Sequence, residues 1–262
     1  MNRPSSTVAV IALGVCIAAQ ITYPLVTAST RDATTVAVVL AGVVAMVAHA
    51  RAVGTSRRTV AWMVAVPLVT FVAETVGTRT GFPFGAYHYA TDRVGPAVAS
   101  VPLVVTLAWF VGVYSVWRVA CWVFPRRRVV RVVTAVVAML GWDLYLDPQM
   151  VAEGLWTWEH PHPALPGVPD VPLTNYAGWV LVAVVVFALV AVLDRVRGGH
   201  RGFPVVPGVW FAWTWLGSAL AHLVFLDDRQ LAVGVPYGLV AMGVLGVPAA
   251  IRAIEKRTGR TR

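Results

Sequence analysis

Charge is scarce in this chain. Only 13% of its 262 residues are charged and 58% are hydrophobic, where soluble domains carry roughly a quarter charged residues. With a mean hydropathy of +0.72, there are too few polar side chains to cover a soluble surface, and lipid is the expected solvent. That composition also excludes a disordered chain and a collagen-like one. Cysteine is nearly absent. Cys16 and Cys121 both sit inside apolar runs, which excludes a disulfide-rich secreted scaffold and gives no reason to expect a disulfide or a metal pair. Lysine is scarcer still: 20 of the 21 basic residues are Arg, and only Lys256 is Lys. That bias points to GC-rich coding rather than to a partner. The formal charge of +9 does not read as a nucleic-acid footprint, because the basic residues lie in short gaps between apolar runs and not on one folded soluble face.

What the chain has in abundance is apolar runs of membrane-spanning length. Measured against the ~20 residues that cross a bilayer, they fall at about 8–28, 33–50, 59–78, 98–124, 129–146, 175–193, 204–226 and 231–251. The second and fifth are short, and the fourth is long enough to tilt. The first lacks a convincing cleavage site and is followed by seven more, so it reads as a retained span and not a signal peptide. The fold class expected is all-α, a polytopic integral membrane bundle of about eight helices forming a single domain over 1–262.

The arginines test this layout. Arg3, the gaps 51–58, 125–131 and 194–201, and the tail from Arg252 hold 16 of the 21 basic residues, whereas the alternate gaps hold only Arg31, Arg79, Arg93 and Arg229. Such alternation is the pattern of the positive-inside rule. It predicts a multi-pass protein of the plasma membrane with both termini in the cytoplasm. Acids run the other way, since all but Asp194 and Glu255 lie toward the outer side. The two longest connections, 77–97 and 147–174, are also on that face. They are rich in Pro, Gly and aromatics, so they are expected to pack back onto the helices, and function is expected there.

Three acids sit at or inside spans, where a charge is expensive and usually paired or functional. Glu74 lies in Phe71-Val-Ala-Glu-Thr-Val, and Asp143 and Asp147 lie in Gly141-Trp-Asp-Leu-Tyr-Leu-Asp-Pro. The two aspartates are four apart and share a helix face. Two carboxylates in a poorly solvated place do not both ionise readily, which makes one an acid and the other a base. Structural readings stand beside these. Asp147 before Pro148 is a common helix start, with Asp as N-cap and Pro at the first helical position. Glu74 has Arg79 five residues on as a possible ion-pair partner. Asp143 has no such explanation and is the first choice for chemistry. His222, late in an apolar span, reads either as a satisfied core histidine or as a site residue. His88, His160 and His162 match no zinc spacing, and Asp227 and Asp228 read as a solvated turn.

Aromatics are the second signal. Of 11 tryptophans, Trp142, Trp156, Trp158 and Trp179 lie in or beside the acidic region, with Tyr87, Tyr89 and Tyr145. Interfacial belts account for such residues; so does a pocket of π faces that holds a long polyene and stabilises a cation. Both readings remain open from composition alone.

The motifs carry a resemblance. Gly81-Phe-Pro-Phe-Gly-Ala-Tyr-His-Tyr, Val101-Pro-Leu with Ala108-Trp-Phe, the stretch from Gly141 to Trp158, and Val168-Pro followed by Leu173-Thr-Asn-Tyr-Ala-Gly-Trp resemble the carotenoid hydratase family. The likeness is specific over about 74–179. It departs from the family pattern at His160-Pro-His-Pro and at a second Val-Pro, Val171-Pro172. The resemblance implies addition of water across the terminal isopropylidene double bond of an acyclic carotenoid, giving a tertiary alcohol. Asp143 would serve as acid, Asp147 or Glu74 as base, and Trp142 or Tyr145 as cation partners. Tyr87, Tyr89, Trp156, Trp158, Asn175 and His222 complete the expected substrate contacts. That chemistry requires no metal and no cofactor. The partners implied are a long hydrophobic carotenoid and the lipid bilayer, with room for other carotenoid enzymes. Two rivals share some features. A membrane prenyltransferase would use Asp143-x-x-x-Asp147 to hold magnesium, but the chain has no second Asp-rich cluster. A carotenoid carrier or proton-coupled transporter would use buried acids as a proton path.

Overall fold

Eight apolar helices form the molecule described here, a computed structural model that covers residues 3–54, 56–194 and 203–258. They are α1 (Arg3–Thr22), α2 (Ala28–Val53), α3 (Arg57–Thr80), α4 (Leu103–Val123), α5 (Arg128–Ala152), α6 (Leu173–Leu193), α7 (Val205–Leu220) and α8 (Arg229–Arg257). A 3₁₀ turn, Tyr23–Leu25, follows α1, and a π-helical turn, Ala221–Phe225, follows α7. The protein is a polytopic helical membrane protein, as its hydropathy requires.

Helix α4 is the axis of the bundle. It packs against α2, α3, α5 and α7, and every residue from Trp109 to Ala120 is buried. A helix apolar on all sides is what a central position selects. Helix α5 lies between α6 and α8. Its approach to α8 uses small residues, the usual means of close packing where lipid removes any hydrophobic drive: a Cβ on Gly238 would come within 2.5 Å of the Tyr145 ring.

Several boundaries differ from those expected. The second and fifth spans, short by hydropathy, are helices of 26 and 25 residues. Helix α2 begins early because Arg31 and Asp32 in its first turns are neutralised. Arg31 pairs with Glu153, and Asp32 takes both Nε and Nη2 of Arg93, at 2.9 and 2.7 Å. Helix α5 runs straight through Asp147-Pro148, so Asp147 is not an N-cap but an interior, buried residue. Proline inside a spanning helix is tolerated when neighbours satisfy the backbone. The long fourth span starts five residues later than hydropathy placed it, because Ala97–Val98 (β2) and Val101–Pro102 (β3) form a tight hairpin, with Ala99 and Ser100 at positive φ. Asp228 is the N-cap of α8 and accepts from the Gln230 amide at 2.7 Å, a more ordered role than a solvated turn. The basic residues of the 195–201 gap, and Arg260 and Arg262, fall outside the described residues.

The outer connections fold back as their composition suggested. Tyr87–Tyr89 (β1) pairs antiparallel with Trp156–Trp158 (β4). Ala164–Leu165 (β5) pairs with Val168–Pro172 (β6), which leads into α6. Arg93 also donates to the Glu153 carbonyl at 2.6 Å, tying this cap to the start of α2. Cys16 and Cys121 are free thiols.

Candidate active site

The two-residue period of a strand builds the roof of the site. In the β1–β4 ribbon, Tyr87 faces Trp158 and Tyr89 faces Trp156. All four rings turn inward, while His88 and Thr157 between them are exposed. Tyr87 stacks on Trp158, with centroids 5.7 Å apart, and Tyr89 meets Trp156 edge-on at 5.5 Å. Phe84 anchors the ribbon to the helices. It wedges between α3 and α6 at two glycines, where a Cβ on Gly77 or Gly178 would lie 2.8 or 2.6 Å from its ring. Gly85, at φ +88°, takes the left-handed turn that a side chain resists. Trp158 then reaches back to donate to the Phe84 carbonyl at 3.0 Å.

Beneath this roof lies a cavity of about 290 Å³. Its walls are mostly aromatic and aliphatic, and two of the three predicted acids, Glu74 and Asp147, reach it. So do Trp142, Tyr145, Tyr87, Tyr89, Trp156, Trp158 and Asn175. Trp142 meets Trp179 and Trp210 edge-on, and Trp179 stacks on Trp109 with centroids 4.0 Å apart.

The acids occupy two different environments. Glu74 accepts from Tyr87 at 2.5 Å and Tyr89 at 2.8 Å through one oxygen, and from Trp109 Nε1 at 3.2 Å through the other. Its carboxylate is therefore fully served by neutral donors, and Arg79 is not its partner. Burial, and next the Glu74 charge, push the Tyr87 and Tyr89 hydroxyls well above the usual phenol range, so both remain donors. Asp143 and Asp147, by contrast, share the Asn175 amide, and the Trp156 side chain also faces Asp147. The Asn175 amide nitrogen bonds Asp147 Oδ2 and lies 3.3 Å from Asp143 Oδ2, while Asp143 Oδ1 has no hydrogen-bond partner. Asp147 is on the cavity wall; Asp143, fully buried, is not. No ion pair involves any of the three among the described residues.

His222 is buried, bonded through Nε2 to Gln149 Oε1 at 3.1 Å, and set edge-on to Tyr145. It does not reach the cavity and fits the core reading. His160 and His162 are exposed. Among the described residues, no three His, Cys, Asp or Glu side chains gather in a way that suits a metal ion. Three wall residues are not singled out as site candidates by the sequence, although Trp109 and Gln149 lie within the stretches that carry the resemblance. Trp109 and Trp210 sit in apolar runs where tryptophan is ordinary, and Gln149 is a neutral side chain beside more conspicuous acids. Only the Ala108-Trp-Phe motif pointed toward Trp109.

The comparisons with known proteins bear on the family. Bisanhydrobacterioruberin hydratase of Haloarcula japonica is 33% identical over 188 residues, which cover 69% of this chain and 59% of that relative. This chain thus spans less than two thirds of the relative's length. No solved structure matches it. The family described as carotenoid biosynthesis protein matches residues 33–245, from α2 through most of α8 and well beyond the 74–179 stretch that carries the motifs. With its acid-bearing aromatic cavity inside a lipid-facing bundle, this chain belongs to the carotenoid biosynthesis protein family.

Proposed function

We propose that this protein adds water across the terminal isopropylidene double bond of an acyclic carotenoid. The observation that carries the reading is the pairing, at one end of an aromatic cavity, of a donor-poor carboxyl pair with a donor-rich carboxylate. Protonating a trisubstituted alkene at its less substituted carbon gives a tertiary cation. The oxygen of water then forms a bond to the cationic carbon and loses a proton, so one water is consumed and the catalyst regains its proton. The reaction needs a protonated acid, a proton acceptor and stabilisation of positive charge.

Asp147 suits the acid, because it faces the cavity and shares the Asn175 amide with another carboxyl. This shifts the first choice made from sequence, Asp143, to a positioning residue that keeps a second carboxyl against Asp147. Glu74 suits the proton acceptor: Tyr87, Tyr89 and Trp109 fix its two oxygens in place, and it can take the proton of the attacking water, which returns to the acid before the next turnover. Tyr145, Trp142, Trp156 and Trp158 line the space where the cation would form, and a ring whose face meets that cation is worth roughly 0.5–2 kcal/mol. Asn175 orients the aspartates.

The arginine pattern orients the site. Contacts already bring the basic helix ends together, as where Arg252 of α8 donates to the Val123 carbonyl of α4 at 3.2 Å. In this reading that end faces the cytoplasm, both termini with it, and the cavity opens toward the outer half of the plasma membrane. Reporters fused after Arg128 and after His162 should report opposite sides; finding both on one side contradicts the layout.

Expression in a lycopene-producing bacterium tests the reaction. Pigments gaining the mass of one water per modified end support it. Purified protein separates the rivals: magnesium-dependent prenyl addition would mean a transferase, and unchanged bound pigment would mean a carrier.

A further inference from the structure

The cavity has a closed end and an open one, and they lie in different parts of the bundle. At the acid end every polar group is sealed: Glu74 is 4% exposed, Asp147 3% and Asn175 1%. The roof residues Phe84, Tyr87, Trp156 and Trp158 are buried as well. The exposed side chains on the cavity wall are Ile21, Leu25, Leu220 and Phe225, each at least half exposed. All four sit where α1 and its 3₁₀ turn face the end of α7 and its π turn, two segments that touch. They are apolar and at the outer ends of spanning helices, so what they meet is lipid.

The backbone departs from regular α-helix on both sides of this opening. Pro24 ends α1 in a 3₁₀ turn, and α7 widens into a π turn at Ala221; such bulges are frequent at functional sites. On the α7 side the wall mixes the small residues Gly217, Ser218 and Ala221 with Trp213, Leu220 and Phe225. Just inside, Thr214 Oγ1 is buried without a hydrogen-bond partner and Thr214 is 2% exposed. At about 290 Å³ the enclosed space is at the small end of the roughly 300–1,000 Å³ typical of ligand pockets. It holds the end of a long polyene, not its whole length.

We propose that the gap between α1 and the α7 π turn is a lateral portal to the bilayer, through which one end of the polyene enters while the rest remains in lipid. This rests on the hydratase reading and deepens it. Since only one end reaches the acids, the protein modifies one end per visit, and the far end is not inspected. A substrate whose far end is already hydroxylated or cyclised is accepted as readily as lycopene.

The test uses the full chain in vesicles containing lycopene, comparing wild type, Ala221→Trp in the portal, and Val224→Trp, an exposed lipid-facing residue of the same turn that is not on the cavity wall. Membrane abundance and melting temperature are measured for each. A tryptophan, which covers roughly 150–250 Å², should block the gap: Ala221→Trp is expected to lower both retained pigment and water addition about tenfold or more, with Val224→Trp matching wild type. If Ala221→Trp does not accumulate, Leu25→Trp on the opposite wall carries the same expectation. Wild-type time courses should show monohydroxylated pigment before any dihydroxylated product. Full pigment retention in a well-folded portal variant would overturn the portal, as would dihydroxylated product from the first turnovers. A wild type that retains lycopene but adds no water would instead overturn the hydratase reading, and pigment retention would still decide the portal.

Discussion

The two ends of the bundle bury charge in opposite ways. At the basic end Arg118, 8% exposed, lies 3.9 Å from Asp194 and over the rings of Tyr114 and Trp62, while Trp117 Nε1 donates to the same carboxylate at 2.7 Å. Arg131 nearby donates to the Phe124 and Pro125 carbonyls and closes the turn between α4 and α5. The buried charges Arg118, Asp194 and Arg131 thus each have an opposite charge, a carbonyl or a π face. At the other end Glu74, Asp143 and Asp147 are buried with neutral donors alone. A buried charge with its partner serves the fold; carboxyls buried without a cation keep protons available for chemistry. In the proposed reading, one end serves the structure and the other the reaction.

Substitutions at the two ends should therefore separate activity from stability. The largest effect is expected from Asp147→Asn, which keeps side-chain volume and removes the proton. Water addition should fall by about 10²–10⁴-fold, with membrane abundance unchanged. Asp143→Asn should lose less, because Asp143 does not reach the cavity; equal losses in the two variants would mean the pair acts as one unit. Next in size, Arg118→Leu leaves Asp194 without its countercharge. Removing one member of a buried pair costs about 3–5 kcal/mol, so the melting temperature should drop while turnover per folded molecule is kept. A loss of turnover without a loss of stability would break the contrast. The smallest effect is expected from Tyr89→Phe, which removes one of three donors from Glu74. A hydrogen bond to a charged group is worth about 1.5–3 kcal/mol, and with two donors remaining the rate should fall by about tenfold, read from pigment profiles.

Much of this contrast was legible in the sequence, for a physical reason: charge inside an apolar run is conspicuous. Glu74, Asp143 and Asp147 stood out at once, and hydropathy located all eight helices. What escaped was decided by partners distant along the chain. The sequence offers Glu74 a partner in Arg79, five residues away, but its donors come from a ribbon strand and from Trp109, 35 residues on. Asp147-Pro148 read equally well as a helix start, because the local pattern of a cap does not show that Asn175, 28 residues later, supplies the donor. Asp143 and Asp147 share a helix face, so spacing could not tell which one meets the cavity. The portal left no trace at all, since Gly217, Ser218 and Ala221 are unremarkable in a spanning helix.

The proton itself tests the central assignment most directly. Purified protein in lycopene vesicles prepared in D₂O should yield product carrying one non-exchangeable deuterium, on the carbon next to the carbinol, for every hydroxyl added, and Asp147→Asn under the same conditions should yield almost none. Hydroxylated product lacking that deuterium, or undiminished deuterated product from Asp147→Asn, would contradict proton delivery from this carboxyl.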